Sequence, residues 1–182
     1  AYTLFYQSGF MRTGVDAVAD AAGITKRTLY QHFRSKDDLI AAVLERQHQM
    51  ALQRIRTWAD QISGEPEQML IMLFDKLAQW AAEKEWKGSG FTRAAMDFAD
   101  LPGHPARKAA RRHKERVEVH LTGKFAAQGL DAAAKVAREV LLLIEGCQSL
   151  VLIHGNLDYI DAARHAALIL VKNHLSTPGE NV

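Results

Sequence analysis

Thr13-Gly14-Val15-Asp16-Ala17-Val18-Ala19-Asp20-Ala21-Ala22-Gly23-Ile24-Thr25-Lys26-Arg27-Thr28-Leu29-Tyr30-Gln31-His32-Phe33-Arg34-Ser35-Lys36-Asp37-Asp38-Leu39 is the stretch that decides the fold. It reads as two short helices joined by a turn at Gly23, followed by a third helix. Thr13 stands where it can cap the helix starting near Val15, with Asp16 at the capping-box distance. Gly23 takes the turn, where a Cβ is costly if φ is positive. Thr25 caps a helix of about two turns, and Ser35 with Asp38 repeats the capping spacing. Two short helices around a glycine turn are the layout of a helix-turn-helix DNA reader.

Outward from this stretch, helices are expected nearly throughout. Sustained two-residue alternation is missing, and Ala, Leu, Glu, Lys, Arg and Gln dominate. A short helix ends near Gly9, anchored by Leu4, Phe5 and Phe10. The helix begun at Ser35 runs to about residue 62. Ser63-Gly64-Glu65-Pro66 breaks the pattern, with Pro66 suited to a first helical position. A helix then reaches about residue 84. Gly88-Ser89-Gly90 reads as a loop, 91–98 as a short helix, and 101–105 as a second loop. A polar-faced helix from Pro105 to about residue 128 stops at Gly129. Asp131 is expected to cap the next helix, which reaches about His154. A last helix ends near Leu175, before a loose tail at 176–182. The fold class is therefore all-α, with about nine helices. Residues 1–45 form the helix-turn-helix domain and 46–175 a helical ligand-binding and dimerisation domain.

Bulk properties narrow the class. The chain has 182 residues and is 48% apolar, so it can bury a substantial core. A net charge of +2 is too small to argue for nucleic acid by itself. The basic residues nevertheless cluster between Lys26 and Lys36. Cys147 is the single cysteine. It rules out an intrachain disulfide and, with apolar neighbours, reads as a buried thiol suited to a reducing cytosol. Residues 140–153 form the longest apolar stretch, but Glu145, Gln148 and Ser149 interrupt it, so no membrane span is expected. No secretory signal pattern is present, and a cytoplasmic location is expected. The chain begins at Ala1 inside a helical pattern, so an N-terminal piece is expected to precede it.

Two C-terminal helices stand out. Residues 136–153 are apolar nearly all round, and such a helix needs burial on more than one side. The last helix carries Ala162, Ala163, Ala166 and Ala167, small residues that allow close approach. A homodimer interface built from these two helices is expected; the alternative is a pair of central core helices.

The residues resemble a known family at this point. Leu4-Phe5, Gly9-Phe10, Thr13, Val18-Ala19, Ala22-Gly23, Thr28-Leu29-Tyr30, His32-Phe33 and Ser35-Lys36-Asp37-Asp38-Leu39 look like the DNA-binding signature of TetR-type transcriptional regulators. The likeness covers about the first quarter of the chain. It implies a homodimeric repressor released from double-stranded operator DNA by a small molecule. Family members usually carry a basic arm ahead of the first helix, which the sequence does not include.

A recognition helix aimed at the major groove reaches base edges with its first residues. Those are Thr25, Lys26, Arg27 and Thr28, all expected at the DNA; Lys26, Arg27 and Thr28 are the expected base readers, with Gln31 beside them. Tyr30 and His32 suit phosphates, which set register rather than sequence. Lys36 and Thr13, at other helix N-termini, suit phosphates too. Leu29 and Phe33 should face inward. Two-fold symmetry predicts a palindromic operator.

For an effector, Phe74, Trp80, Trp86, Phe91 and Met96 suggest an apolar cavity between helices. His120, Cys147 and Gln148 complete the candidate ligand-binding set, with Asp97 and Glu145 as further polar groups. No histidine grouping has a metal-ligand spacing, so neither metal nor cofactor is expected. No nucleophile-elbow, phosphate-loop or metalloprotease spacing occurs, so no catalytic residue is assigned. The competing function is a helix-turn-helix scaffold whose helical domain binds a protein partner.

Overall fold

The computed structural model describes residues 1–60 and 65–175, with side chains for 1–54 and 65–175. Among the described residues there are nine helices and no strand. They are α1 (Tyr2–Ser8), α2 (Val15–Ala21), α3 (Lys26–His32), α4 (Lys36–Asp60) and α5 (Pro66–Ala81), then α6 (Gly90–Asp97), α7 (Pro105–Ala127), α8 (Ala133–His154) and α9 (Asp158–Lys172). Pro66 opens α5 as expected. The expected helix end near 62, the break at 63–64 and the tail at 176–182 lie outside the described residues.

Packing divides the chain into two compact units. The first joins residues 1–55 to 89–114, and the second joins 56–88 to 115–175 among the described residues. This line differs from a boundary at residue 45, and the reason is nonlocal burial. Phe5, Phe10, Leu29, Ile40 and Leu44 share one core with Phe91, Ala94, Phe98, Ala106 and Ala109 from α6 and the start of α7. Each large apolar side chain buried there contributes roughly 1.5–3 kcal/mol. Without α6, the short N-terminal helices would leave part of that core wet.

Polar contacts fix the same seam. The Asp97 carboxylate accepts the Phe10 N–H at 2.7 Å and the Met11 N–H at 3.2 Å. Expected among ligand-orienting groups, it closes the α1–α2 turn instead. His104 stacks on Phe98 with ring centroids 3.7 Å apart, and its Nε2 lies 3.2 Å from the Asp37 carboxylate. Further along, Arg112 pairs with Glu45, and His113 Nδ1 meets His48 Nδ1 at 3.0 Å. His113 also stacks on Phe91 at 3.8 Å. The seam therefore runs from Asp37 to His48 on α4.

The second unit is a helical cluster in which α9 packs on both α8 and α5. Leu70, Phe74, Val136, Val140, Ile160 and Val171 are fully or almost fully buried in it. Arg164 on α9 donates to Asp75 on α5 at 2.7 Å and to Asp161 at 2.8 Å. Trp80 and Trp86 meet edge to face at 5.9 Å.

Two expected caps are corrected. Thr13 does not cap α2: the helix starts at Val15 as expected, and Gly14 takes the cap position. The Thr13 hydroxyl instead donates to the Gly9 carbonyl at 2.6 Å. Asp131 does not cap α8 either. Its N–H donates to the His174 carbonyl beside the Leu130–Leu175 bridge, and Ala132 enters the helix with φ of 54°. That tie to the chain end overrides the local capping preference. Helix α5 also ends at Ala81 rather than near 84, and α9 at Lys172 rather than near 175.

Two measurements follow from the first unit's core. Gly90 opens α6 against Tyr2, and a Cβ there would run into the Tyr2 hydroxyl. Gly90→Ala should cost about 1–3 kcal/mol by chemical denaturation, as overpacking does. Burial, with Lys114 and His48 adding to it, holds the His113 imidazole neutral down to about pH 3. An unfolded histidine takes its proton near pH 6.5, so below that the unfolded state binds more protons. Stability should therefore fall as pH drops below about 6.5, by about 2 kcal/mol at pH 5 from this group. His113→Gln should be less stable at pH 7 and lose less on acidification.

Candidate nucleic-acid interface

The α2–α3 pair is built from local sequence. Val18 and Ala19 on α2 and Leu29 on α3 are buried, which holds the two short helices together. Gly23 turns the chain with φ of 66°, its N–H donating to the Asp20 carbonyl and the Ile24 N–H to the Ala19 carbonyl. No atom would crowd a Cβ at Gly23. The need for glycine is therefore conformational rather than steric, since an L-residue pays for the left-handed region. Thr25 then caps α3, accepting the Thr28 N–H at 3.0 Å, with the two hydroxyls 2.9 Å apart.

This frame puts Leu29 inward at 2% exposure and Phe33 half-buried against the core. Lys26, Arg27, Tyr30, Gln31 and His32 stand exposed, with Thr28 half-buried. The expected base- and phosphate-facing residues of α3 therefore share one short solvent-facing helix. They differ in how committed they are. Lys26 reaches the Asp16 carboxylate at 3.0 Å, which raises its pKa. Arg27 makes no ion pair or hydrogen bond among the described residues. Exposed pairs such as Lys26–Asp16 contribute little and exchange readily for a stronger acceptor.

Lys36 donates to the Met11 carbonyl at 2.7 Å. Its ammonium has three donors, so two remain for an anion at the start of α4. The Ser35 side chain accepts the Asp38 N–H at 3.1 Å, the expected cap of that helix. Thr13 stands apart from this set: it is 4% exposed and its hydroxyl is already used.

Charge is segregated in a way the total conceals. The first unit holds thirteen lysines and arginines against seven aspartates and glutamates. The balance of the chain is acidic. A surplus of this size on the unit that carries α3 suits a polyanion partner. Residues 1–45 alone could not reveal it, because much of the surplus comes from 89–114.

The candidate ligand-binding residues divide. Phe74, Trp80, Trp86 and Cys147 belong to the apolar cluster of the second unit. Gln148 is buried on α8, and His120 is half-buried on α7 in the same unit. Phe91 and Met96 belong to the first unit. Phe91 is spent on the His113 stack, and Met96 is exposed. Trp86 Nε1 and Gln148 Oε1 are buried without a hydrogen-bond partner among the described residues. Burial raises the Cys147 thiol to about pH 11, and its Sγ donates to the Ile144 carbonyl, so it is an inert core thiol. Sequence reasoning did not single out the buried His48, nor the packing partners of the buried His104 and His113. Their partners are distant in sequence, and no local pattern marks them.

The sequence profile described as "Bacterial regulatory proteins, tetR family" matches residues 1–43. The N-terminal quarter of the chain thus matches the TetR family. The HTH-type transcriptional activator FasR of Mycolicibacterium smegmatis is 48% identical over 46 residues, covering 25% of this chain and 21% of FasR. The match thus spans about a fifth of that relative's length. The HTH-type transcriptional regulator YjdC of Escherichia coli is 24% identical over 171 residues, 92% of this chain and 87% of YjdC. The TetR-family regulator SCO4454 of Streptomyces coelicolor has the same fold, with a TM-score of 0.85 at 21% identity over 97% of this chain and 92% of that one. FasR and YjdC are both named HTH-type transcriptional proteins, and FasR's likeness falls on a stretch of 46 residues.

The cap gives a direct stability test. Thr25→Ala should destabilise the protein by about 1 kcal/mol in chemical denaturation, the usual value of a lost helix cap. Thr25→Asn should retain most of the wild-type value.

Proposed function

We propose that this chain is a TetR-family regulator, a homodimeric repressor that leaves a palindromic operator when a small apolar ligand binds. The exposed face of α3, held by the Thr25 cap and the buried Leu29, carries the reading. Arg27 and Lys26 read base edges, with Thr28 and Gln31 beside them. Tyr30, His32 and Lys36 hold phosphates. Thr13 contributes by shaping the turn before α2.

The C-terminal helices supply the dimer. Leu142 and Ile153 on α8 are 67% and 71% exposed, and Leu150, Leu152 and Ile169 are exposed with them. Large apolar side chains left in water on two adjacent helices favour an isologous interface. The effector site belongs to the second unit, around Phe74, Trp80, Trp86, His120, Cys147 and Gln148. Its support is the pair of buried polar atoms, Trp86 Nε1 and Gln148 Oε1, which a ligand with one acceptor and one donor would satisfy. Among the described residues no helix is long and apolar enough to cross a membrane, which agrees with work on cytoplasmic DNA. FasR is named an activator, so the sign of regulation is a separate outcome of the test.

Selection of bound duplexes from random DNA, at a fixed moderate salt concentration, tests this reading. A palindrome with half-sites about one helical turn or a multiple apart is expected. Recovery of a single or directly repeated half-site would contradict a two-fold reader. Thermal stabilisation by small apolar compounds supports the effector site, whereas stabilisation by a protein alone favours the scaffold alternative.

A further inference from the structure

We propose that Asp97 is a positioning residue for DNA binding: through the turn between α1 and α2 it holds the carbonyl that seats Lys36. The proposal rests on the reading of Lys36 as a phosphate anchor and adds the residue that sets it. Every contact in the path lies within the first unit. Asp97 Oδ2, at the end of α6, accepts the Phe10 N–H at 2.7 Å and the Met11 N–H at 3.2 Å. The Met11 carbonyl in turn accepts a hydrogen bond from the Lys36 ammonium at 2.7 Å. One turn residue, Met11, therefore links the end of α6 to the first residue of α4.

The turn is built so that a side chain must close it. Gly9 leaves α1 with φ of 93° and ψ of 140°, and the next two amides converge on one carboxylate oxygen. The Phe10 ring is fully buried, so its N–H needs a partner inside the protein. An ionised acceptor holds such a pair of amides more strongly than a neutral one. Thr13 fixes the far side, its hydroxyl and its N–H both donating to the Gly9 carbonyl. Between these points the Met11 side chain is exposed, but its backbone is held by Asp97 on one side and Lys36 on the other. Lysine has a long rotatable stem, and ordering it on binding costs entropy. A fixed carbonyl that occupies one of the three ammonium donors orders the stem beforehand and leaves two donors for a phosphate.

The test uses the full chain and a duplex of about 40 base pairs of mixed sequence, with binding measured across a KCl series. Lys36→Gln should weaken binding and flatten the log–log salt slope by about one. Asp97→Ala should bind about 3- to 10-fold more weakly than wild type, the cost of ordering one long side chain. Asp97→Asn keeps an acceptor for the amides and should recover most of that loss. Both variants remove the same charge, so their difference reports the seat and not the field. Asp97→Glu keeps the charge but displaces the carboxylate, and it should weaken binding even if Asp97→Ala does not fold. Adding Asp97→Ala or Asp97→Glu to Lys36→Gln should cause no further loss, because the seat then holds nothing. Folded Asp97→Ala or Asp97→Glu protein that binds as tightly as wild type overturns the positioning role and leaves the α3 reading intact. Losses that simply add to that of Lys36→Gln do the same. Wild-type protein with no salt-dependent binding overturns the DNA-binding reading and this role with it.

Discussion

Everything the proposed DNA-reading face does depends on burying Leu29 while its neighbours on α3 stay wet. A two-turn helix is marginal alone, because nucleation costs more than so few hydrogen bonds return. Here the cost is offset from three sides. Gly23 sets the direction of entry, Thr25 satisfies the first amide, and Leu29 with Phe33 fastens the helix to the core. Once Leu29 points inward, the helical period leaves Arg27, Tyr30 and Gln31 outside, while Lys26 stays wet at the first turn of the helix. The face is a consequence of packing, and its chemistry is what remains exposed.

That core is not a local product. The helices before residue 45 are short, and Phe5, Phe10 and Ile40 reach full burial in a cluster completed by Phe91, Phe98 and the alanines of α7. The same helices bring the His104–Asp37, Arg112–Glu45 and His113–His48 contacts to α4. They also bring six further basic residues into the unit. The module proposed to read DNA is thus larger than the segment that carries the motif, in packing and in charge alike.

The turn, the Thr25 and Ser35 caps and the inward Leu29 were legible in the sequence because each is a short-range preference expressed within four residues. The all-helical class was legible because the apolar period persists over long segments. Thr13 and Asp131 show where local reading fails. Both have capping chemistry at capping spacing, yet Thr13 closes the Gly9 turn and Asp131 is drawn to the chain end at His174. Tertiary pairing decided between two uses of the same side chain. Phe91 and Met96 show the same limit for the candidate effector site. Composition groups them with Phe74 and Trp80, but folding assigns them to a different unit. Aromatic content carries no address, so a ligand set drawn from it alone mixes two cores.

The central claim is that the side chains on the exposed face of α3 read bases rather than merely meet phosphate. The most direct measurement compares Arg27→Ala with wild type on the selected site and on every single-base variant of one half-site. The account expects Arg27→Ala to lose about 1–3 kcal/mol of discrimination at one base pair, with the other positions still distinguished. Uniform weakening across all variants, with a flatter salt slope and no position relaxed, would contradict it.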